Sequence, residues 1–210
     1  MTTITCDQLP ALFEGVAALF AEELCDMDAN MGDGDLGLTM DKGYGALPDL
    51  LRENMEAGDA GKTLMKAGME MSSVVPSTMG TLMSSGIMEG GKALKGKAEL
   101  GPAELAAYLT AFAAGIQKRG KCQRGDRTIL DAVAPAAEAA EKAAEAGGDL
   151  SAVIAAACEG AAKGVEATKA MTPKFGKAAV FAAKAAGVAD QGAVAGLYML
   201  QGLQRGLSAL

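Results

Sequence analysis

The chain has no histidine and no tryptophan among its 210 residues, and only 4% of it is aromatic. Without histidine it cannot by itself build a Ser-His triad, use an imidazole base or ligate a metal through imidazole. Long β-branched runs are missing too, while Ala, Leu, Met, Glu and Lys abound, so the composition predicts helix almost everywhere. No uninterrupted apolar run reaches the roughly 20 residues of a membrane span. The opening MTTITCDQLPALFEG has neither a basic n-region nor a signal-peptide core, which makes a cytoplasmic protein the default expectation. Cys6, Cys25, Cys122 and Cys158 lie far apart with no C-x-x-C spacing, a pattern that suits reduced thiols rather than a disulfide framework or a zinc site. Positive charge is scarce: 19 Lys and Arg face 26 Asp and Glu, for a net charge of -7 and a pI near 4.7. That balance argues against nucleic acid or an anionic membrane as partner, since both are gripped by clustered Lys and Arg. Any phosphate bound here therefore needs a metal.

What the chain does have is apolar bulk. It is 50% hydrophobic, enough to bury a sizeable core as one domain over residues 1–210. Leu12, Phe13, Val16, Leu19, Phe20 and Leu24 fall at helical spacing and predict a first helix that ends just before an acidic stretch. A second helix is expected from near Leu36 to about Arg52, a third from about Lys62 to Val74, and a fourth from after Pro76 to about Lys95. A fifth follows Gly101 and Pro102 and ends at Gly120. The sixth opens at about Ile129, with Asp126 or Thr128 as its cap, and runs to about Ala146; the seventh, capped by Asp149 or Ser151, continues to about Met171. Residues 172–192 form a Lys-bearing connection with some helical character, and an eighth helix carries Val194, Leu197, Leu200, Leu203 and Leu207. The fold class is all-α: eight antiparallel helices in a bundle or closed barrel. The Ala-rich stretch 132–163 reads as close helix packing, and the thirteen methionines as adaptable core filler.

The chemistry gathers in residues 28–40, DANMGDGDLGLTM. Asp28, Asp33 and Asp35 share this stretch with Gly32, Gly34 and Gly37, and carboxylates so crowded repel one another unless a positive charge sits among them. Their spacing cannot place all three on one helical face, whereas a glycine-bent loop can aim them at one point. A hard divalent cation such as Mg2+ is the natural guest, and Mg2+ prefers a few carboxylates plus substrate phosphates to a closed protein cage. The bland alternative is a solvated turn in which Asp35 caps the next helix. In an up-and-down bundle the loops after helices one, three and five share an end, which brings the acids, the segment PSTMGT and residues 120–128 together. Hydroxyls, glycine amides at helix starts and metal-holding acids on one rim would suit nucleotide phosphates.

Three lookalike motifs carry less weight. Gly32-x-Gly34-x-x-Gly37 matches a dinucleotide fingerprint but follows no buried strand. Gly61-Lys62-Thr63 imitates the end of a Walker A loop without its first glycine and reads as a helix start. Asp26, Asp28 and Asn30 open like a calcium loop, yet Met31 and Gly37 stand where glycine and glutamate are required.

Four separated segments, in order, carry a family resemblance. They are Asp28 with Asp33-Gly34-Asp35-x-Gly37; Ser72-Ser73 with Ser77-Thr78; Gly125-Asp126-Arg127-Thr128 with Asp131 and Pro135; and Gly176-Lys177 with Asp190 and Gly192. Together they resemble the nucleotide-binding L subunit of dihydroxyacetone kinase over nearly the whole length. The resemblance implies an eight-helix barrel holding ADP or ATP at one end through two Mg2+ ions on Asp28, Asp33 and Asp35. It implies that residues 36–39 (Leu36, Gly37, Leu38 and Thr39) and Ser77-Thr78 border the nucleotide, that Gly120 and Ile129 line its base or ribose, and that Lys177 and Asp190 lie on a covering segment. It implies in-line phosphoryl transfer to a ketose carried by a partner K subunit, which also supplies the acid/base chemistry, and a phosphate donor that is either exchangeable ATP or a phosphotransferase-system protein recharging held ADP. The chain departs from the family pattern at Leu36, where histidine is usual, at Thr39, where asparagine is usual, in the glycine content of residues 75–81, and at Lys177, where arginine is usual and a bidentate fork is lost. The departures at Leu36 and Thr39 leave open a nucleotide-binding or regulatory module without transferase activity; a structural helical bundle is the third alternative.

Overall fold

The computed structural model describes residues 3–17, 19, 22–31, 34–180 and 182–210. In order they form strand β1 (Ile4–Thr5), a 3-10 turn (Cys6–Gln8), α1 (Leu9–Ala17), α2 (Glu22–Met31), α3 (Leu36–Glu53), α4 (Ala60–Val74), α5 (Thr78–Ala93), β2 (Glu99–Leu100), α6 (Pro102–Gly120), α7 (Leu130–Glu145) and α8 (Leu150–Thr168). A second 3-10 turn (Lys177–Ala179), the single-turn α9 (Ala182–Ala185) and α10 (Gln191–Ala209) complete the chain.

The helices start where short polar side chains can take up the backbone amides left over at a helix N-terminus. Asp59 accepts from Lys62 N at the start of α4, Ser77 from Gly80 N at α5, Asp149 from Ala152 N at α8 and Asp190 from Ala193 N at α10. Proline opens α6, where its missing N–H costs nothing, and Glu104 reaches back to Gly101 N. The start of α7 differs from expectation. Its N-cap residue is Ile129, with no capping side-chain hydrogen bond. Thr128 Oγ1 instead accepts from Leu130 N, and Asp126 closes the preceding turn by accepting from Gln123 N at 2.7 Å. The expected first helix is also divided, into α1 and α2, and the β1–β2 pairing, Ile4 opposite Leu100 and Thr5 opposite Glu99, was not anticipated.

Packing closes the helices into a ring in the order α1, α3, α4, α5, α6, α7, α8, α10 and back to α1, so the eight-helix all-α barrel stands. Neighbours run antiparallel, as two contacts per interface show: in α5 and α6, Gly86 meets Phe112 and Gly90 meets Tyr108; in α1 and α10, Gly202 meets Val16 and Gly206 meets Leu12. Some of these contacts are backbone on backbone. A Cβ on Gly206 would lie 2.0 Å from Leu12 O, and one on Gly164 2.0 Å from Asp131 O, so a larger residue at either site would push two helices apart. The alanines of α7 and α8 allow the same close approach. Inside the ring Phe13, Leu47, Leu64, Ile87, Phe112 and Leu203 are buried, along with Met40, Met71, Met83 and Met199; burying each such side chain contributes roughly 1.5–3 kcal/mol. All four cysteines are free. No helix among the described residues is long and apolar enough to cross a membrane.

Alternation of direction gives the ring two unlike ends. Residues 54–59, 94–101 and 146–149 turn at one end, beside β1. The described residues among 19–35 (α2 and residues 34–35), 75–77, 121–129, 169–180 and 182–190 lie at the other.

Candidate functional site

At this second end the N-termini of α3, α5, α7 and α10 surround a cavity of about 340 Å3. Its wall takes Asp35, Leu36 and Thr39 from the start of α3, Ser77 and Thr78 from α5, Thr128 and Ile129 from α7, and Asp190, Gln191 and Gly192 from α10, with Asp28 and Lys177 beside them. Each helix start presents amide N–H groups and the positive end of its dipole, so four converging starts favour an anion. A wider cavity of about 980 Å3 adjoins it, sharing Ser77, Thr78, Thr128, Ile129 and Phe175 and adding Ser84, Ser85, Arg119, Gly120 and Cys122.

Of the expected metal ligands, Asp28 sits in the last turn of α2 rather than in a loop, and Asp35 is the N-cap residue of α3 without a capping side-chain bond. A glycine bend still connects them, with Gly34 at φ +77°. Asp28 is buried, and its Oδ2 accepts from Gly34 N at 3.0 Å. Asp33 lies outside the described residues, and no group of three or more metal-binding side chains is gathered among those described. The donor set that is present suits a hard cation: two carboxylates on the cavity wall, hydroxyls nearby, and the buried Oε1 of Gln191, which has no hydrogen-bond partner.

The expected nucleotide-bordering residues divide. Leu36, Thr39, Ser77, Thr78, Ile129, Lys177 and Asp190 line the smaller cavity, and Gly120 the larger one. Gly37 and Leu38 line neither. Helical geometry is the reason: once α3 begins at Leu36, Thr39 shares its face at i+3, while Gly37 is turned into the protein and Leu38 outward, 68% exposed.

Residues 121–129 are built from their own side chains. Asp131, buried at the start of α7, accepts from Gly125 N at 2.5 Å and Thr128 N at 2.8 Å, which permits Gly125 and Arg127 their left-handed conformations. Arg127 is fully buried. Its guanidinium donates to Thr168 O at the end of α8, to Ala185 O and to Val188 O at 3.0 Å, and stands 3.8 Å from Asp190 Oδ1. It thereby ties the segment 169–190 across the rim, and Lys174 adds a second tie to Asp126 at 2.6 Å. That contact with Lys174, helped by the Gln123 amide, holds the Asp126 carboxyl below its ordinary range. Burial pushes Asp190 the other way, up to about 6, against the opposing pull of the Ala193 amide and Arg127. Burial also raises the Cys122 thiol, with a hydrogen bond from Thr128 working against it.

Met79, Phe175 and Gln191 line the smaller cavity without having been expected to. Arg127 stood in a recognised segment but had no assigned role. Nothing in RGDRT distinguishes it from Arg124, which lies half-exposed beside Glu138.

Fold and site together define an all-helical barrel with an oxygen-rich, amide-ringed pocket at one end. Residues 30–205 match the model of the DAK2 domain, and the chain belongs to that family. It is similar to the ADP-binding subunit DhaL of the PEP-dependent dihydroxyacetone kinase of Escherichia coli (strain K12), 27% identical over 86% of each chain. It is 29% identical to the corresponding subunit of a second such kinase of Listeria innocua, over 86% of this chain and 85% of the relative. Human triokinase/FMN cyclase is 30% identical over 87% of this chain but only 31% of its own length. Among solved structures, the dihydroxyacetone kinase from C. freundii in complex with AMP-PNP and Mg2+ superposes with a TM-score of 0.70. It is 23% identical over 95% of this chain, which spans about a third, 33%, of that enzyme; this likeness bears on the fold. The relatives are kinases, so the family is one of phosphotransferases.

Proposed function

We propose that this chain is the nucleotide-binding, phosphotransferring subunit of a dihydroxyacetone-type kinase, a single domain over residues 1–210 working in the cytoplasm. ADP or ATP occupies the two adjoining cavities, held through Mg2+, with two ions on Asp28, Asp33 and Asp35. The observation that carries the reading is the convergence of four helix N-termini with Asp28 and Asp35 on one cavity wall, in a chain of the DAK2 family.

The amides at the starts of α3, α5, α7 and α10 receive the phosphate oxygens, and the Ser77 and Thr78 hydroxyls donate to them. Lys177, on the segment held down by Arg127, adds positive charge from above in a chain that is otherwise acidic. Ser84, Ser85 and Gly120 bound the wider space, sized for the base and ribose. Mg2+, when bound, neutralises charge developing on the transferred group. Positioning and electrostatics therefore carry the rate on this side of the reaction, and the ketose and its acid/base chemistry come with a partner K subunit. No histidine is available here to hold the sugar, in keeping with that division of labour.

The reading is tested by thermal melts of the purified chain with Mg2+, with ADP or ATP, and with both, repeated on Asp33→Ala and Asp35→Ala. Ligand at 100 times its Kd should add about 2.7 kcal/mol to the stability of the native state. A rise that needs nucleotide and metal together, and that the variants lose, supports the site. No shift in a chain shown to carry no nucleotide overturns it. Mass spectrometry of the purified protein separates the two donor modes: tightly held ADP points to recharging in place by a phosphotransferase-system protein, an empty site to exchangeable ATP.

A further inference from the structure

Resting on that reading, we infer that Gln191 is a further, neutral oxygen ligand of the divalent cation held by Asp28. Gln191 is the first residue of α10, only 8% exposed, and lines the cavity with Asp28 and Asp35. Its Nε2 donates to Asp28 Oδ1 over a long 3.4 Å, while its Oε1 is enclosed with no hydrogen-bond partner. A buried carbonyl oxygen left without a donor is uncommon and needs a reason. The helix supplies none, because Asp190 already caps α10 through Ala193 N.

The cation supplies one. The terminal torsion of a glutamine amide is broad and two-fold, so a half-turn exchanges oxygen for nitrogen at little torsional cost, the donation to Asp28 being given up for a bond to the cation. Turned, the carboxamide puts its oxygen about where its nitrogen now lies, beside Asp28. Two oxygens bound to one Mg2+ at about 2.1 Å and at right angles are about 3 Å apart, close to the 3.4 Å between this amide and Asp28 Oδ1. Before the cation arrives the amide answers the carboxylate as a donor; afterwards it joins that carboxylate as a ligand. Because it is uncharged, it fills a coordination position without adding to the repulsion among the acids.

The test is Mn2+ binding in the presence of ADP, followed by electron paramagnetic resonance, with Mg2+ affinity from calorimetry, on wild type, Gln191→Leu and Gln191→Glu. Gln191→Leu is expected to weaken Mn2+ about tenfold or more. Gln191→Glu, which keeps an oxygen but cannot donate to Asp28, is expected to bind at least as tightly as wild type. A Gln191→Leu affinity equal to wild type overturns the inference, and so does a Gln191→Glu as weak as Gln191→Leu, which would leave the amide only a donor that orients Asp28. If Gln191→Leu does not fold, Gln191→Glu decides alone, an affinity about tenfold or more below wild type overturning the inference; it is expected to fold, since an acidic residue in the first turn of a helix is favourable. Absence of Mn2+ binding in wild type overturns the functional reading and this inference together.

Discussion

The two ends of the barrel, short turns at one and longer connections carrying α2 and α9 at the other, solve opposite problems. At the closed end Asp59 accepts from Lys62 N and Gly96 N, Ala60 N donates to Lys97 O and Cys6 N to Ala98 O, and the β1–β2 pair seals the rim; the polar groups named there have found partners within the protein. At the cavity end lie Asp28, Asp126, Arg127, Asp131, Thr168, Asp190 and Gln191, seven buried polar side chains. Some of these, such as Asp131, are used up in building loops, but others face a space. A protein does not bury carboxylates around a void for stability, because desolvated charge is costly. The difference sets an end whose named polar groups are satisfied within the protein against an end where buried polar side chains surround a cavity.

Asp35 should separate the two ends by the largest effect. Asp35→Ala should lower phosphotransfer, assayed with a ketose-carrying partner, by roughly 10³-fold or about 4 kcal/mol in barrier, while circular dichroism shows unchanged helicity, since removing one acid from a repelling group does not weaken the metal-free protein. Arg127→Ala should act on stability instead. It removes a buried guanidinium from three carbonyls and from Asp190, and denaturant unfolding should show a loss of roughly 3–4 kcal/mol.

A third experiment concerns pH. The Asp190 carboxyl is raised from its ordinary 3.8 to about 6, so its proton is held more tightly in the folded chain. The associated stability is present in full below about pH 4 and lost as pH rises through 6. Asp190→Asn keeps the cap and removes the titration. Between pH 3 and pH 7 wild type should therefore lose about 3 kcal/mol relative to Asp190→Asn in metal-free unfolding. The smallest effect is expected at the closed end: Asp59→Ala should cost about 1–2 kcal/mol of stability through its lost cap and leave the nucleotide-dependent rise in Tm unchanged. A change in that rise would show the two ends to be coupled.

Periodicity made the ring legible in the sequence, because an apolar stripe at helical spacing reports a buried face directly. It did not reveal the division of α1 from α2. Leu12, Val16 and Leu24 keep their spacing across the break, and residues 17–24 hold no glycine or proline to mark a change of axis. The β1–β2 pair is two residues on each side, too short for any alternation. At the site, acids and hydroxyls that stand on the cavity wall could be picked out by type, as with Asp28, Asp35 and Ser77. Residues set by placement could not. Arg127 is a loop arginine like Arg124 until the fold buries it, and Gln191 is a polar helix-start residue until α10 is set against α2. Of residues 36–39 only Leu36 and Thr39 reach the cavity wall, because the helix that starts at Leu36 turns Gly37 and Leu38 off that face.

The meeting of α1 with α10 has one more consequence. Leu12 lies against Gly206 and Val16 against Gly202, so the strand of chain entering the ring and the strand leaving it stand side by side at the pole opposite the cavity. Polypeptide spliced onto either side would hang from that pole like a tether, without being threaded past the mouth of the cavity. A barrel wired this way can be carried as a cassette, and in human triokinase/FMN cyclase and the C. freundii enzyme the matching part occupies 31% and 33% of a longer chain.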